Sequence, residues 1–321
     1  MNYSLLLLTL ILSISCAQVK LDAPVVPAKE LRVAWVKNLD PVYNTGNLPI
    51  GTSSPFLSED ILYMGSLSGQ MTAYEFDTGR VLWKTNDKHS LSAMANRLGK
   101  NIYYGSKNGR LFSRHYLTGK LNYSIDLGAP IESQPIFSRG RLLIHLRNHT
   151  IICLDASTGK IFWRYRRSIP YSTTLQRVSK VLPYGRQLIV GFADGNIASI
   201  SLEEGIVNWE QKISTGVKFV DVDVRPFIFN KKIVVGSASG PMRFLNLKNG
   251  VIERTVEFNQ SHTPILDNNE LIVGSTFGDL YRVNKYAKVV KRVNLSKNAI
   301  SSVLAYRGGF VVATMGSELF Y

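Results

Sequence analysis

Residues 61–83 read ILYMGSLSGQMTAYEFDTGRVLW and contain the unit that decides the fold. An apolar run is followed by a Gly-Ser-x-x-Gly turn, a second apolar run, a Thr-Gly turn and then a tryptophan four residues later. Short apolar runs separated by glycine turns are typical of strands joined by tight hairpins, because glycine readily adopts the positive φ angles of such turns. The stretch therefore predicts an antiparallel sheet whose last strand carries a large aromatic ring.

The same unit recurs along the chain. The Thr-Gly glycines 79, 119 and 159 are spaced 40 residues apart, and each precedes an aromatic residue by four positions. Three later copies keep the register, but only the first of them retains the aromatic; the slots after 159 are occupied by Trp209, Arg254 and Lys291. A fixed period of this length indicates a repeat architecture, and one such sheet cannot bury its faces alone. We therefore expect the copies to pack as a ring.

The number of copies predicts the number of sheets. Six full copies are followed by a partial seventh that begins near Gly309, and residues 31–321 shared among seven sheets give about 42 residues each, a usual length for a four-stranded propeller blade. Eight shorter blades are the alternative. We expect the orphan strand Leu31–Trp35 to complete the last sheet and close the ring, which removes an exposed edge. No segment has a sustained 3.6-residue apolar period, so the fold class is all-β.

The N-terminus is predicted to be a targeting segment. Residues 1–15 have the short apolar core of a signal peptide, and Ser13-Ile14-Ser15-Cys16 resembles a bacterial lipobox, so we expect Cys16 to be lipidated. The alternative is an ordinary cleaved signal. Residues 16–30 contain two prolines and no periodicity, which indicates a flexible tether, and residues 31–321 form the propeller. The remaining cysteine, Cys153, lies in an apolar run and is expected to be a buried small hydrophobe.

The charge of the chain restricts its partners. Thirty-eight Lys and Arg against 23 Asp and Glu give a net charge of +15, with basic clusters at 164–167 and 285–292. Such clusters contact phosphates in nucleic-acid-binding proteins. An exported protein meets little nucleic acid, so we expect no nucleic-acid partner and take anionic lipid or lipopolysaccharide headgroups as the counterparts.

The residues argue against catalysis. The chain lacks a Gly-x-Ser-x-Gly elbow, a P-loop and a His-Glu-x-x-His motif, and its two cysteines cannot form a vicinal pair. His145 and His149 are four residues apart, a spacing that is not expected to bring two rings together in a region of strands. We therefore expect no catalytic residue, no metal site and no cofactor.

The Gly-Ser-x-x-Gly…Thr-Gly-x-x-x-Trp unit resembles the PQQ-type propeller repeat, and with the lipobox-like N-terminus the chain resembles the BamB family of outer-membrane assembly lipoproteins. The resemblance implies a single β-propeller of PQQ-like repeats. It implies a non-enzymatic periplasmic scaffold, anchored by lipid to the outer membrane, that docks as a monomeric propeller on the BamA-like barrel-insertion subunit and contacts nascent outer-membrane proteins. A quinoprotein-like enzyme and a stand-alone ligand-binding propeller are the alternatives.

Two segments carry the more specific part of the resemblance. They are Thr174–Ser179 (TLQRVS) and Val220–Pro226 (VDVDVRP), and the resemblance implies that Arg177, Asp221 and Asp223, with Leu175 nearby, form the docking surface. In an extended chain Asp221 and Asp223 project from one face, and a cation between them would relieve their repulsion, for which Arg177 is a candidate. The alternative is a solvated strand edge whose acidic residues prevent aggregation.

Overall fold

The chain folds into seven antiparallel sheets in a computed structural model that describes residues 33–37, 53–169, 178–214, 216, 220–237 and 239–321. Residues 34–321 form one compact unit. The described residues contain strands and turns and no helix, as predicted. Six sheets have four strands and the last has three, each strand pairing with the next along the chain. The seven-bladed arrangement predicted from the repeat is therefore confirmed.

Blades 1 to 4 each begin with a strand of three residues, followed by three longer strands. Their bounds are β1 Phe56–Ser58, β2 Ile61–Gly65, β3 Met71–Glu75, β4 Val81–Lys84; β5 Asn96–Leu98, β6 Asn101–Gly105, β7 Arg110–His115, β8 Leu121–Asp126; β9 Ile136–Ser138, β10 Arg141–His145, β11 Thr150–Asp155, β12 Ile161–Arg166; β13 Leu182–Tyr184, β14 Gln187–Gly191, β15 Asn196–Ser201 and β16 Val207–Lys212.

Blades 5 and 6 repeat this pattern, and blade 7 has three strands. Their bounds are β17 Phe227–Phe229, β18 Lys232–Ser237, β19 Gly240–Asn246, β20 Ile252–Asn259; β21 Ile265–Asp267, β22 Glu270–Gly274, β23 Asp279–Val283, β24 Val289–Asn294; β25 Ile300–Tyr306, β26 Gly309–Thr314 and β27 Leu319–Phe320.

Burial differs systematically across each blade. The second and third strands are covered on both faces: in β14, Leu188, Ile189 and Val190 are all fully buried, which explains their continuous apolar run. The fourth strands are more exposed than the second and third, and in β12 and β16 exposed and half-buried residues alternate. The fourth strands therefore form the outer rim of the propeller.

The core lies between successive blades. Six clusters of buried apolar residues join blade 1 to 2, 2 to 3 and so on to blade 7. In the first four interfaces the aromatic residue of the repeat lies against the Thr-Gly-type glycine of the next blade. The pairs are Trp83 with Gly119, Tyr123 with Gly159, Trp163 with Gly205 and Trp209 with Gly250. A side chain on any of these glycines would collide with the ring, so the two halves of the repeat constrain each other.

The N-terminal segment meets the first blade in the same manner. Trp35 lies against Gly79, and its ring is 6.0 Å from that of Tyr74 at a tilt of 31°. Its Nε1 donates to the carbonyl of Phe76 at 2.7 Å. This is the contact that the fourth-strand aromatics make elsewhere, so Trp35 takes the position of a fourth-strand residue of blade 7. Residues 33–37 themselves have no strand pairing, however, and the backbone closure predicted for Leu31–Trp35 is not formed by the described residues.

Candidate partner-binding site at one end of blades 3 to 5

The described parts of the interblade connections lie at one end of the propeller. In each four-stranded blade the fourth strand finishes beside the turn between the second and third strands; for example, Arg166 pairs with Thr150 next to the turn 146–149. The chain then crosses to the first strand of the next blade. The two longest connections are 167–181 and 213–226, whereas 260–264 and 295–299 join the later blades. Blades 3 to 5 therefore carry the most chain at this end, which we call the loop end.

A histidine replaces a glycine in the turn of blade 3. In blades 2 and 4 the residue after the fourth strand donates its amide to the carbonyl of Gly109 or Gly195, at 2.9 Å in both cases. In blade 3 the corresponding acceptor is His149, whose φ is 58°, in the left-handed region that glycine favours. This conformation costs about 1 kcal/mol for a residue other than glycine. Its side chain is buried beside His145 and Phe192.

The turn brings two imidazoles together, so the prediction that His145 and His149 stay apart is wrong. Their ring centroids are 5.4 Å apart, because His145 ends β10 and the tight turn returns His149 to the same end of the blade. His145 donates from Nδ1 to the carbonyl of Ser179 at 3.0 Å, which ties the connection 167–181 to blade 3. Among the described residues, His145 Nε2 and both ring nitrogens of His149 have no hydrogen-bond partner.

Burial keeps both imidazoles neutral. The pKa of His145 is lowered to about 3, mainly by desolvation and also by the neighbouring His149. Desolvation also lowers the pKa of His149 to about 4; Asp194 and Asp221 oppose this shift and Arg167 adds to it. At neutral pH the pair therefore packs as two uncharged rings against Phe192, at 5.6 and 6.3 Å.

An ion-pair network joins blades 3 and 4 beside these rings. Arg167 donates from Nε to Asp194 at 2.5 Å and from both Nη atoms to the carboxylate of Glu210 at 2.7 and 2.8 Å. The guanidinium also lies 4.9 Å from the centroid of Phe192 and is 14% exposed. A two-pronged contact with a carboxylate fixes geometry as well as charge. Arg167 belongs to the basic cluster 164–167, whose sequence is of a kind suited to phosphates. In the structure its charge is neutralised by two carboxylates instead.

The acidic pair of the connection 213–226 is less exposed than the sequence suggested. Val220–Pro226 has no strand structure, and Asp221 is only 3% exposed, while Asp223 is half-buried. Val222 is fully buried against Gly191 and donates its amide to the carbonyl of Phe192 at 3.0 Å. The segment is therefore packed into blade 4, and Asp223 is the member of the pair that retains surface.

Two basic residues, Lys180 and Arg225, lie near each other at the loop end. Burial lowers the pKa of Lys180, and the nearby Arg225 lowers it further; burial likewise lowers the pKa of Arg225. Lys180 donates to Gln134 at 3.3 Å, and neither cation has an ion pair within the part of the chain that the structure describes. A half-buried cation without a carboxylate is stabilised when a partner supplies one.

Three predicted site residues lie outside the described residues: Cys16, Leu175 and Arg177. Arg177 and Leu175 belong to the connection 167–181. Near the end of this connection, Ser179 bonds to both backbone groups of Gly191 at 3.1 Å. Arg167, Asp194 and Glu210 were missed by sequence reasoning. The Asp-Gly turn at 194–195 was the available signal, but it is shared with ordinary hairpins.

Other sequence predictions concern sites elsewhere. Cys153 is fully buried, as predicted, and burial raises the pKa of its thiol. In the described ranges no three His, Cys, Asp or Glu side chains are grouped as metal ligands. Nor do those ranges include a helix of the length and apolar character needed to cross a membrane.

The repeat, the seven sheets and the aromatic-on-glycine contacts define a PQQ-type repeat β-propeller with an elaborated loop end. The family model described as outer membrane protein assembly factor BamB matches residues 88–292, which is more than half of the chain. The chain belongs to this family.

Individual relatives agree with the family. BamB of Yersinia pestis is 24% identical over 208 residues, covering 60% of this chain and 53% of the relative; BamB of Kangiella koreensis is 26% identical over 203 residues, covering 61% and 52%. The chain thus spans about half the length of these two curated relatives. The crystal structure of BamB from Moraxella catarrhalis matches with a TM-score of 0.64 at 16% identity, over 83% of this chain and 94% of that one. A computationally designed protein, Ika8, has the same fold, with a TM-score of 0.67 at 15% identity.

Proposed function

We propose that this chain is a non-enzymatic scaffold lipoprotein of the outer-membrane β-barrel assembly machinery, and that it docks on the BamA-like barrel-insertion subunit through the loop end of blades 3 to 5. Its membership of a family of outer-membrane assembly factors supports the general role. The observation that supports the docking surface is that the described parts of the two longest interblade connections meet on blade 4, where Ser179 bonds to Gly191 and Val222 packs against the same glycine. Binding residues are commonly found on loops held by a rigid scaffold.

The loop end combines an ion-pair network between blades with exposed or half-buried charges. The network of Arg167 with Asp194 and Glu210 crosses from blade 3 to blade 4, and the buried imidazoles fill the space beneath it. Above this base, Asp223, Lys180 and Arg225 present charges of both signs. A preorganised surface loses little entropy on binding. We therefore expect the partner to offer an acidic group to Lys180 or Arg225 and to contact Asp223.

Co-purification with the barrel-insertion subunit tests this surface. We expect Arg225→Ala and Arg177→Ala each to weaken the complex roughly thirtyfold, since a binding hot spot contributes about 2 kcal/mol or more. Asp223→Ala should also weaken the complex, because it removes the negative charge of this surface. Matched controls remove the same charges at the opposite end: Asp77→Ala and Lys160→Ala lie in exposed turns between third and fourth strands. Undiminished recovery of the complex with all three folded loop-end variants would refute the assignment.

The lipid anchor is tested separately. We propose that Cys16 is acylated and holds the propeller at the periplasmic face of the outer membrane, since each buried CH₂ of an acyl chain contributes about 0.8 kcal/mol. The Cys16→Ala chain should then appear in the soluble periplasmic fraction. Its retention on membranes at high salt would contradict lipidation without bearing on the docking surface.

The non-enzymatic part of the proposal has its own measurement. A quinoprotein-like enzyme purified with its quinone would absorb visible light, and we expect the purified chain to show no such absorbance. A stoichiometric visible chromophore would favour the enzymatic alternative.

A further inference from the structure

The wedge between blades 6 and 7 differs from the other interblade wedges. In blades 1 to 4 the third strand carries a small residue directly opposite the aromatic residue of the fourth strand. The pairs are Ala73 with Trp83, Ser113 with Tyr123, Cys153 with Trp163 and Ser199 with Trp209. In blade 5 the aromatic is transferred to the third strand, where the buried Phe244 pairs with Arg254. We call each such pair of opposed third- and fourth-strand residues the row of its blade. In each of these five blades the row contains one aromatic side chain.

Blade 6 has no aromatic residue in this row. The corresponding pair is Arg282 with Lys291. The guanidinium of Arg282 turns to two carboxylates instead, with ion pairs of 2.9 Å to Asp267 and 3.1 Å to Glu270. Blade 6 therefore has two cationic side chains at the position where the other blades have an aromatic ring.

A cavity of about 130 Å³ is present at this position. Its walls come from blade 6 and, through Phe310, from blade 7, and they are mainly apolar; the lining residues are Ile272, Leu280, Tyr281, Arg282, Lys291, Val293 and Phe310. An apolar cavity of about 150 Å³ accepts benzene. The space is therefore suited to a single aromatic ring, the group that the same position holds in the other blades.

The entrance to this cavity is cationic. Lys291 is exposed, and it has no ion pair within the described part of the chain, whereas Arg282 is neutralised by its two carboxylates. Lys285 and Lys288 add positive charge in the adjoining turn, whereas Arg292 is paired with Asp279 at 3.0 Å. A ring that enters the cavity beside a carboxylate would gain both apolar burial and an ion pair.

The adjacent strand favours a polypeptide as the source of the ring. β24 is the last strand of its sheet and pairs with β23 alone, so one edge of its backbone is unpaired within the described sheet. Val289 and Val290 on this strand are 42% and 49% exposed. An extended segment can add to such an edge through its main chain and place alternate side chains in neighbouring pockets. Other blades have the same kind of edge, but blade 6 combines it with a cavity of the size of one aromatic ring.

We propose that the cavity between blades 6 and 7 is a binding site for the aromatic side chain of an extended partner segment that carries a carboxylate next to the ring. The site is separate from the loop end of blades 3 to 5 and does not depend on the docking proposed there. Lys291 pairs with the carboxylate, and Leu280, Val293 and Phe310 contact the ring.

Three small probes separate the contributions of ring and charge: N-acetylphenylalanine has both, N-acetylphenylalaninamide has the ring alone, and N-acetylalanine has the charge alone. Titration of the full chain followed by NMR should show millimolar, saturable binding of the first probe. The amide should bind about fivefold more weakly, and N-acetylalanine should not saturate below 20 mM. Equal binding of N-acetylalanine and N-acetylphenylalanine would overturn the proposal.

Variants then locate the site. Lys291→Gln should reduce the affinity for N-acetylphenylalanine to that for the amide, and Lys285→Gln, which removes a charge outside the cavity, should leave it unchanged. Lys291→Trp restores the aromatic of blades 1 to 4 and should abolish binding of both ring probes without lowering the melting temperature. Val293→Phe is a second filling variant in case the tryptophan prevents folding. Saturable binding that survives a folded filling variant, or no saturable binding by the parent chain, would refute the site.

Discussion

The contact between the aromatic of one blade and the glycine of the next predicts a measurable coupling between two substitutions. Gly119 has a φ of +68°, and a methyl group there would lie 2.8 Å from Cδ2 and from Cε3 of Trp83. Gly119→Ala therefore incurs about 1 kcal/mol for the left-handed backbone and roughly 2 kcal/mol for the collision. Gly99 provides the matched control: its φ is +56°, and a methyl group would meet nothing within 4 Å, so Gly99→Ala should cost only about 1 kcal/mol.

Removing the ring should remove the collision. Trp83 is 8% exposed and donates from Nε1 to the carbonyl of Tyr116 at 2.8 Å, so Trp83→Ala alone should cost roughly 4 kcal/mol. In that background Gly119→Ala should cost only its backbone part, about 1 kcal/mol, which gives a coupling of about 2 kcal/mol. Equilibrium unfolding in urea measures all four proteins of the cycle. A cost for Gly119→Ala that equals that of Gly99→Ala, or that is the same with and without the ring, would refute this account of the interface.

Other predictions concern the loop end and the core. Buried neutral His149 contributes stability that is present above pH 6.5 and is lost as the pH falls towards its folded-state pKa of about 4. Asparagine tolerates positive φ, so His149→Asn should reduce the loss of unfolding free energy between pH 7 and pH 4.5 by about 2.5 kcal/mol. An unchanged pH profile would contradict this role of His149. Arg167→Ala leaves two carboxylates without their cation and should cost about 3–5 kcal/mol in urea unfolding, against less than about 1 kcal/mol for Arg80→Ala, whose side chain is 67% exposed. Similar losses from the two would show that the Arg167 network contributes little. In the Cys16→Ala chain, Cys153 should react with a thiol reagent only after unfolding, because it is fully buried, and fast reaction in the native state would disprove that packing.

The architecture was largely predictable because the repeat is a local signal. Each unit contains its own strands, its turn glycines and one aromatic residue, and these suffice to predict the blades and their order. The wedge role expected of the aromatics is confirmed at Trp83, Tyr123, Trp163 and Trp209. Leu31–Trp35 was predicted to close the ring by pairing its backbone with the last sheet. Among the described residues of this segment, the contact found instead is that of the Trp35 ring with Gly79. An apolar run predicts a strand, but the hydrogen bonds of that strand depend on an edge that is remote in the sequence.

The candidate site was predictable only in part. The Val220–Pro226 motif was noticed, yet the burial of Asp221 could not be foreseen, because alternation of valine and aspartate predicts two faces only when the segment is a strand. The pairing of His145 with His149 was wrongly excluded, since spacing rules for strands do not apply across a tight turn. The spacing of four brings the two rings together because a tight turn lies between them, and not because they share a helix face.

The sequence by itself determined the repeat, the number of blades and the positions of the wedge aromatics, because each of these depends on residues within about 40 positions of one another. Only the tertiary structure decided which residues meet between blades. Arg167 reaches Glu210 from the preceding blade, and the cavity beside Lys291 exists because Phe310 of blade 7 faces a row without an aromatic residue. The physical reason is that strand and turn formation is governed by neighbours in the chain, whereas the contents of a wedge depend on two sheets packed face to face.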